Sequence, residues 1–434
     1  MDRFVIRGGN PLVGTIRVSG AKNSALPCMA AAILTDDEVT LENIPRVRDI
    51  ETERRLLSSM GAQIELHEGE FEDRTTISCR TLSDPVARYE IVKTMRASSL
   101  VLGPLIARTG AARVAMPGGC AIGGRPIDLH IKGLERMGAE IVQEHGYLEA
   151  RASRLTGAHL VFDKITVTGT EDLLMAAVLA EGETLMENCA REPEVVDLAA
   201  LLTAMGARIE GAGTAIIRVR GVSSLHGARY RINPDRIEAG TFLIAGAITG
   251  GDLTVTQCNP EHLGAVIAKL QEAGACVDVL GPDAARVHSA AQLRAADIST
   301  EEYPGFPTDM QAQYMALATQ AEGVSQVSEN IFENRFMHVQ ELVRMGANIK
   351  VDGKIASVRG PARLSAAAVM CSDLRASASL VLAALVADGE TIVDRVYHMD
   401  RGYERFEEKL SSVGAQIQRL GNIFAPRPEK VLTN

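Results

Sequence analysis

Apolar positions along this chain alternate between two spacings, and the alternation itself repeats. Six copies of one phrase recur: LLSSMGAQI, LERMGAEI, LLTAMGARI, LQEAGACV, LVRMGANI and LSSVGAQI. Their glycines, at positions 61, 138, 206, 274, 346 and 414, lie 77, 68, 68, 72 and 68 residues apart, the mark of a repeat architecture. In the third copy Leu198, Leu201, Leu202 and Met205 fall at i, i+3, i+4 and i+7, one apolar stripe of a surface helix. The glycine supplies the left-handed residue that ends that helix, and an alternating strand follows.

About 25 residues before each phrase, period-two stretches predict six more strands: DDEVTLEN, TGAARVAM, EGETLMEN, GGDLTVTQ, EGVSQVSE and DGETIVDR. Ahead of each of these lies a second kind of helix, small and apolar nearly all round, as in ASASLVLAALVA. A helix with no polar face must be buried on every side. The chain therefore predicts an α/β fold of six βαβαββ-type units, three per domain, with the buried apolar helices inside. YRINPDRIEAG, between the third and fourth units, is the expected crossing point. The opening strands, Phe4 to Val18, are expected to complete the last unit. One domain is then discontinuous, 1–21 with 234–434, and the other is 22–233.

Composition narrows the classes. With 434 residues, 46% hydrophobic and 23% charged, the chain reads as a globular protein with room for two cores. A formal charge of −10 and 4% aromatic residues argue against nucleic acid and against a polybasic membrane patch. The longest apolar run, 376–387, is too short to span a bilayer, and MDRFVIRGGNP lacks the apolar core of a signal peptide. Seven cysteines without a CxxC predict a reducing, cytoplasmic setting.

Candidate chemistry lies where the repeats differ. The loops entering the buried helices carry Lys22, Arg96, Arg236 and Arg375, while the fifth carries Asp309. A cation at a helix N-terminus is disfavoured by the dipole, so its recurrence there points to a ligand. The loops from strand to surface helix hold Arg125, Arg191, Arg335 and Arg401 beside Asp128, Glu192, Glu333 and Asp400. Arginines gathered in an acidic protein suit an anion bearing phosphate and carboxylate. No complete P-loop, dinucleotide fingerprint, zinc spacing or GxSxG elbow occurs, so a P-loop site, a nicotinamide fold and a structural zinc are not expected. Cys120 sits in PGGCAIGGRP, a glycine-rich loop with Arg125 five residues on, which favours a reactive thiol. The other six cysteines lie in or beside apolar patterns and are expected in the cores.

SGAKNSALP, PGGCAIGGRP, FPTDMQAQ, FENRFMH, DLRASASL and DRGYER together resemble the enolpyruvyl transferases, in particular those acting on UDP-N-acetylglucosamine, over essentially the whole chain. The resemblance implies a two-domain inside-out α/β barrel that closes around phosphoenolpyruvate and UDP-N-acetylglucosamine, in peptidoglycan precursor synthesis, with no metal or organic cofactor because phosphoenolpyruvate supplies the activated group. It implies that Lys22 and Asn23 contact phosphoenolpyruvate and the sugar. Arg125 and Arg401 match phosphoenolpyruvate-binding arginines, Arg96 a nucleotide-sugar arginine, and Arg375 joins the cationic cluster. Arg125, Pro126, Ile127, Asp128 and Leu129, then Lys164, Ile165, Thr166 and Val167, and also Ile331, match stretches that bind the UDP-sugar. Asp309 matches the acid at the acceptor hydroxyl, and Cys120 the cysteine that adds to phosphoenolpyruvate and is alkylated by fosfomycin. One departure is Thr168, where some members have glycine. Two rival readings are a transferase with another acceptor, such as shikimate 3-phosphate or a different nucleotide, and a non-catalytic scaffold that binds anions.

Overall fold

The computed structural model describes residues 2–69, 73–116, 127–288 and 292–421. Among the described residues its strands form six separate four-stranded sheets of one design, which do not join into a closed barrel. In unit one Glu38–Ile44 pairs antiparallel with Asp73–Ser78, which pairs antiparallel with Gln63–His67. On its other side Glu38–Ile44 runs parallel to the short strand Arg229–Arg231. Alternation along these strands sends one face inward: Val39 and Leu41 are buried while Glu38 is exposed.

The apolar helices are buried along nearly their whole length. They are Lys22–Ala31, Leu102–Thr109 with the preceding turn Arg96–Val101, Val167–Ala177, Arg236–Ile248, Gln311–Ala318 and Leu374–Val386. Their buried side chains fall into two cores. One gathers residues from Ala25 to Ile232; the other combines Phe4–Val18 positions with residues from Ile237 to Ala415. All six repeat glycines adopt φ between +91° and +108°, the left-handed region that ends the helix before each strand.

The opening strands divide between two units, contrary to expectation. Only Arg3–Arg7 completes the sixth sheet, lying between Glu390–Asp394 and Gln416–Leu420. Val13–Arg17 instead runs parallel to Asp252–Thr256 in unit four. The reason lies in the parallel edge slot. In units two, three, five and six, the strand leading into the unit's own buried helix fills it. The strand leading into unit four's helix, Arg229–Arg231, remains in the unit-one sheet, so Val13–Arg17 takes the slot left open.

This exchange makes the chain cross between the cores twice, side by side. Ala21 N–H donates to the Asn233 carbonyl at 2.7 Å, and Asp235 N–H donates to the Ser19 carbonyl at 2.8 Å. Lys409 Nζ clamps the crossing by donating to Ser19 Oγ (2.7 Å) and to Glu238 Oε1 (2.6 Å). Gly20 is required there, since a Cβ would stand 1.7 Å from the Asn43 carbonyl oxygen.

Five of the cysteines expected in the cores are buried, but Cys276 is exposed. It lies on Cys276–Val279, whose Val277 takes the inward position and leaves Cys276 on the solvent face.

Candidate functional site

The residues at the starts of the buried helices converge with acids that the loops supply. Lys22 opens the unit-one helix and is 8% exposed; its Nζ donates to Asp49 Oδ2 at 3.1 Å. Arg401, at the end of the turn Val396–Arg401, reaches the same carboxylate, Nε to Oδ1 at 2.9 Å and Nη2 to Oδ2 at 3.4 Å. One acid thus holds two cations, one from each core. Burial pulls the Lys22 pKa down, aided by Arg375 and Arg401 and opposed by Asp49. Burial pushes the Asp49 pKa up, but Lys22 and Arg401 more than offset it and hold the carboxyl below its ordinary value.

A second knot surrounds Asp309, in the turn Thr308–Met310. Arg335 Nη2 donates to Oδ1 at 2.9 Å and Arg375 Nε to Oδ2 at 3.2 Å. Burial acts to raise the Asp309 pKa, yet Arg335, Arg375 and Lys22 outweigh it and keep the group far below the carboxylate range. The field of Lys22 at Asp309, and of Arg375 at Lys22, makes the two knots one site. Asp373 caps the helix bearing Arg375 by accepting from the Arg375 and Ala376 N–H groups (2.8 and 2.9 Å), so backbone geometry fixes where that guanidinium starts.

Arg236 is also paired across the cores, with Glu194 (2.9 and 3.3 Å), and it lies 5.5 Å from the Tyr303 ring centre. Beside it Tyr303 N–H donates to Glu192 Oε1 at 3.4 Å.

Lys22, Asp309, Arg375 and Arg401 are therefore brought together, with Asn23 exposed at the same helix start. Ile331 joins through Glu329. This buried carboxylate accepts from the Ile331 and Phe332 N–H groups at 3.0 and 3.1 Å and from Thr308 Oγ1, tying the 331 loop to the turn that carries Asp309.

A second set lies with the first core. Asp128 opens the helix Asp128–Arg136, after buried Ile127. Lys132 Nζ stands 3.9 Å from Asp128 and 3.8 Å from Asp163, bringing this helix beside exposed Lys164. Leu129, Ile165 and Val167 pack against the core, and Thr166 Oγ1 accepts from Gly169 N–H at 3.2 Å as a helix cap. Arg96 begins the turn Arg96–Val101, and its charge reaches His130. Cys120, Arg125 and Pro126 lie outside the described residues.

Asp49, Glu194 and Glu329 went unrecognised in the sequence. For Asp49 a signal existed. In DIETERRLLSSM, Asp49, Glu53, Leu56 and Met60 follow i, i+4, i+7, i+11, so both acids fall on the stripe that a surface helix buries.

Comparison with known proteins agrees along the full length. The model of the EPSP synthase (3-phosphoshikimate 1-carboxyvinyltransferase) family matches residues 6–410. A UDP-N-acetylglucosamine 1-carboxyvinyltransferase of Acidobacterium capsulatum is 79% identical over 429 residues, covering 99% of this chain and 98% of that protein. One from Koribacter versatilis is 69% identical, covering 99% of both. Among solved structures, the enolpyruvyl transferase NikO from Streptomyces tendae superposes with TM-score 0.86 at 26% identity, covering 96% of this chain and 99% of its own. An EPSP synthase from Acinetobacter baumannii shares the fold, with TM-score 0.76 at 18% identity over 97% of this chain and 100% of its own. With these matches spanning both cores and every repeat, the chain belongs to the enolpyruvyl transferase family of EPSP synthase and UDP-N-acetylglucosamine 1-carboxyvinyltransferase.

Proposed function

We propose that this protein transfers the enolpyruvyl group of phosphoenolpyruvate to the 3-hydroxyl of UDP-N-acetylglucosamine and releases phosphate. That is the first committed step of peptidoglycan precursor synthesis, and we assign it to the cytoplasm. The observation that carries the reading is the joined site of Lys22, Arg401, Arg375 and Asp309, set between two cores in a chain 79% identical to a protein of that name. The two separate cores support domain limits at 21/22 and 233/234.

In this reading Lys22 and Arg401, with Arg125, hold the phosphate and carboxylate and stabilise charge that develops there. Asn23, Arg96, the 125–129 stretch, Lys164 to Val167 and Ile331 seat the nucleotide sugar. C3 of phosphoenolpyruvate gains a proton as the sugar oxygen bonds to C2; that proton's counterpart leaves C3 as the C2–phosphate bond breaks, restoring the double bond. Cys120 serves as the acid and base at C3 and as the thiol that can bond to C2. Asp309 accepts the hydroxyl proton. Because Arg335 and Arg375 make it a weak base, it takes that proton only as the C–O bond forms and the hydroxyl becomes acidic.

The test is phosphate release from phosphoenolpyruvate with UDP-N-acetylglucosamine, with shikimate 3-phosphate and with neither. Release that depends on UDP-N-acetylglucosamine supports the reading. Turnover with shikimate 3-phosphate alone, or none at all, overturns it. Peptide mapping after treatment with fosfomycin checks the thiol: the label is expected on Cys120, with phosphoenolpyruvate slowing it.

A further inference from the structure

Among the described residues joined in the site, Asp49 is the one acid whose hydrogen bonds reach cations from both cores. Lys22 comes from the first core and donates to Oδ2; Arg401 comes from the second and spans both oxygens, so the two cations meet on one carboxylate. Asp49 is only 4% exposed, so little water replaces what it supplies. We propose that Asp49 is a positioning residue for enolpyruvyl transfer: its carboxylate sets the separation of Lys22 and Arg401 and keeps Lys22 charged, so that both meet the anionic substrate. The inference rests on the function proposed above.

The alternative is that Asp49 competes with the substrate for the same cations. Charge balance decides between them. Lys22 lies near three cationic or acidic neighbours besides Asp49: Arg401 on its turn, Arg375 on the helix Leu374–Val386, and Asp309 on the turn Thr308–Met310. Both arginines, and burial, favour neutral Lys22. The carboxylates of Asp197 and Glu171, on the two helices packed along the same buried helix, act at Cys28 instead. Glu53, one turn beyond Asp49, is buried and feels the charge of Asp49. Asp49 is the chief group that keeps the ammonium protonated. Without it Lys22 loses its proton more easily, and a phosphate-binding charge goes with it.

The experiment measures kcat and KM for phosphoenolpyruvate across pH 6–10 in wild type, Asp49→Asn and Asp49→Glu. For Asp49→Asn, KM is expected to rise about tenfold or more, the scale of a lost hydrogen bond to a charged group. Its kcat falls as well, because Lys22 and Arg401 also stabilise charge that develops in the reaction. The alkaline limb of kcat/KM moves to lower pH. Asp49→Glu keeps the charge one methylene farther out, so its alkaline limb stays at the wild-type pH while KM rises. A structural role alone would lower activity without moving the limb. An Asp49→Asn enzyme with lower KM would show competition, and an unmoved limb would equally overturn the proposal. If Asp49→Asn does not fold, Asp49→Glu decides: wild-type KM, or a displaced limb, refutes it. Wild type without transferase activity would instead refute the function on which this rests.

Discussion

Replacing Glu53 by Gln tests whether a carboxyl in the first core carries a proton at neutral pH. Glu53 is 1% exposed, and neither carboxyl oxygen has a hydrogen-bond partner among the described residues. Burial, then the charge of Asp49, pushes its pKa from 4.5 to about 8. The sign follows from proton binding. Between these values the unfolded chain releases the proton while the folded protein keeps it, so stability falls as pH rises from 4.5 to about 8. At about 1.4 kcal/mol per pH unit, the 3.5-unit window is worth at most about 5 kcal/mol, fully developed above pH 8. Gln has nearly the same shape and does not titrate. Its own unpaired amide costs about 1–3 kcal/mol, equally at every pH. Urea unfolding of wild type and Glu53→Gln at pH 5, 6.5 and 8 should therefore show the variant gaining on wild type by about 3–5 kcal/mol across the series. Parallel stability curves would mean that Glu53 is ionised in the folded protein, and the reasoning would fail.

Asp309→Asn should leave both substrates bound and reduce turnover about 10²-fold, the scale of a lost general base; steady-state kinetics within threefold of wild type would remove the residue from the mechanism. Truncating either Arg236 or Glu194 alone should cost about 3–5 kcal/mol by stranding a buried charge, with the double variant much less costly than the sum; denaturant melts of the four-protein cycle measure this. Gly20→Ala should destabilise the crossing by about 3 kcal/mol, because the new methyl would stand 1.7 Å from the Asn43 carbonyl oxygen and the backbone must shift to admit it; thermal unfolding reads it directly.

The repeats made most of the architecture legible. Six glycines with one backbone conformation and six strands in like positions needed only periodicity, because each unit solves the same burial problem. Where Val13–Arg17 pairs was not legible. Its alternation fits any half-buried slot, and the choice of unit four depends on Arg229–Arg231 having stayed in unit one, more than 200 residues away. At the site, Lys22, Arg375 and Asp309 stood out as helix starts that defied the dipole rule or broke the pattern. Asp49 and Glu329 did not, because their importance comes from partners brought close only by the fold. Cys276 shows the opposite limit: its strand pattern was read correctly, but the face it occupies follows from a register that one residue's shift would invert.

The exchanged edge strands also order events on the ribosome. The first core has all its strands once residue 231 has emerged, since Arg229–Arg231 closes the unit-one sheet. The second core cannot finish its sheets until Gln416–Leu420 is made, yet it needs Arg3–Arg7 and Val13–Arg17 from the very start of the chain. Val13–Arg17, with Leu12 and Ile16, must therefore wait unpaired until Asp252–Thr256 is made, roughly 12–47 s at ordinary rates of elongation, and Arg3–Arg7, with Phe4 and Ile6, until Glu390–Asp394 is made, roughly 19–77 s. Their interspersed arginines at 3, 7 and 17 and the glycines at 8, 9 and 14 suit a segment that has to stay soluble and unattached for that interval. Expression and refolding of this protein should thus be more sensitive to changes in its first twenty residues than their small share of the core suggests.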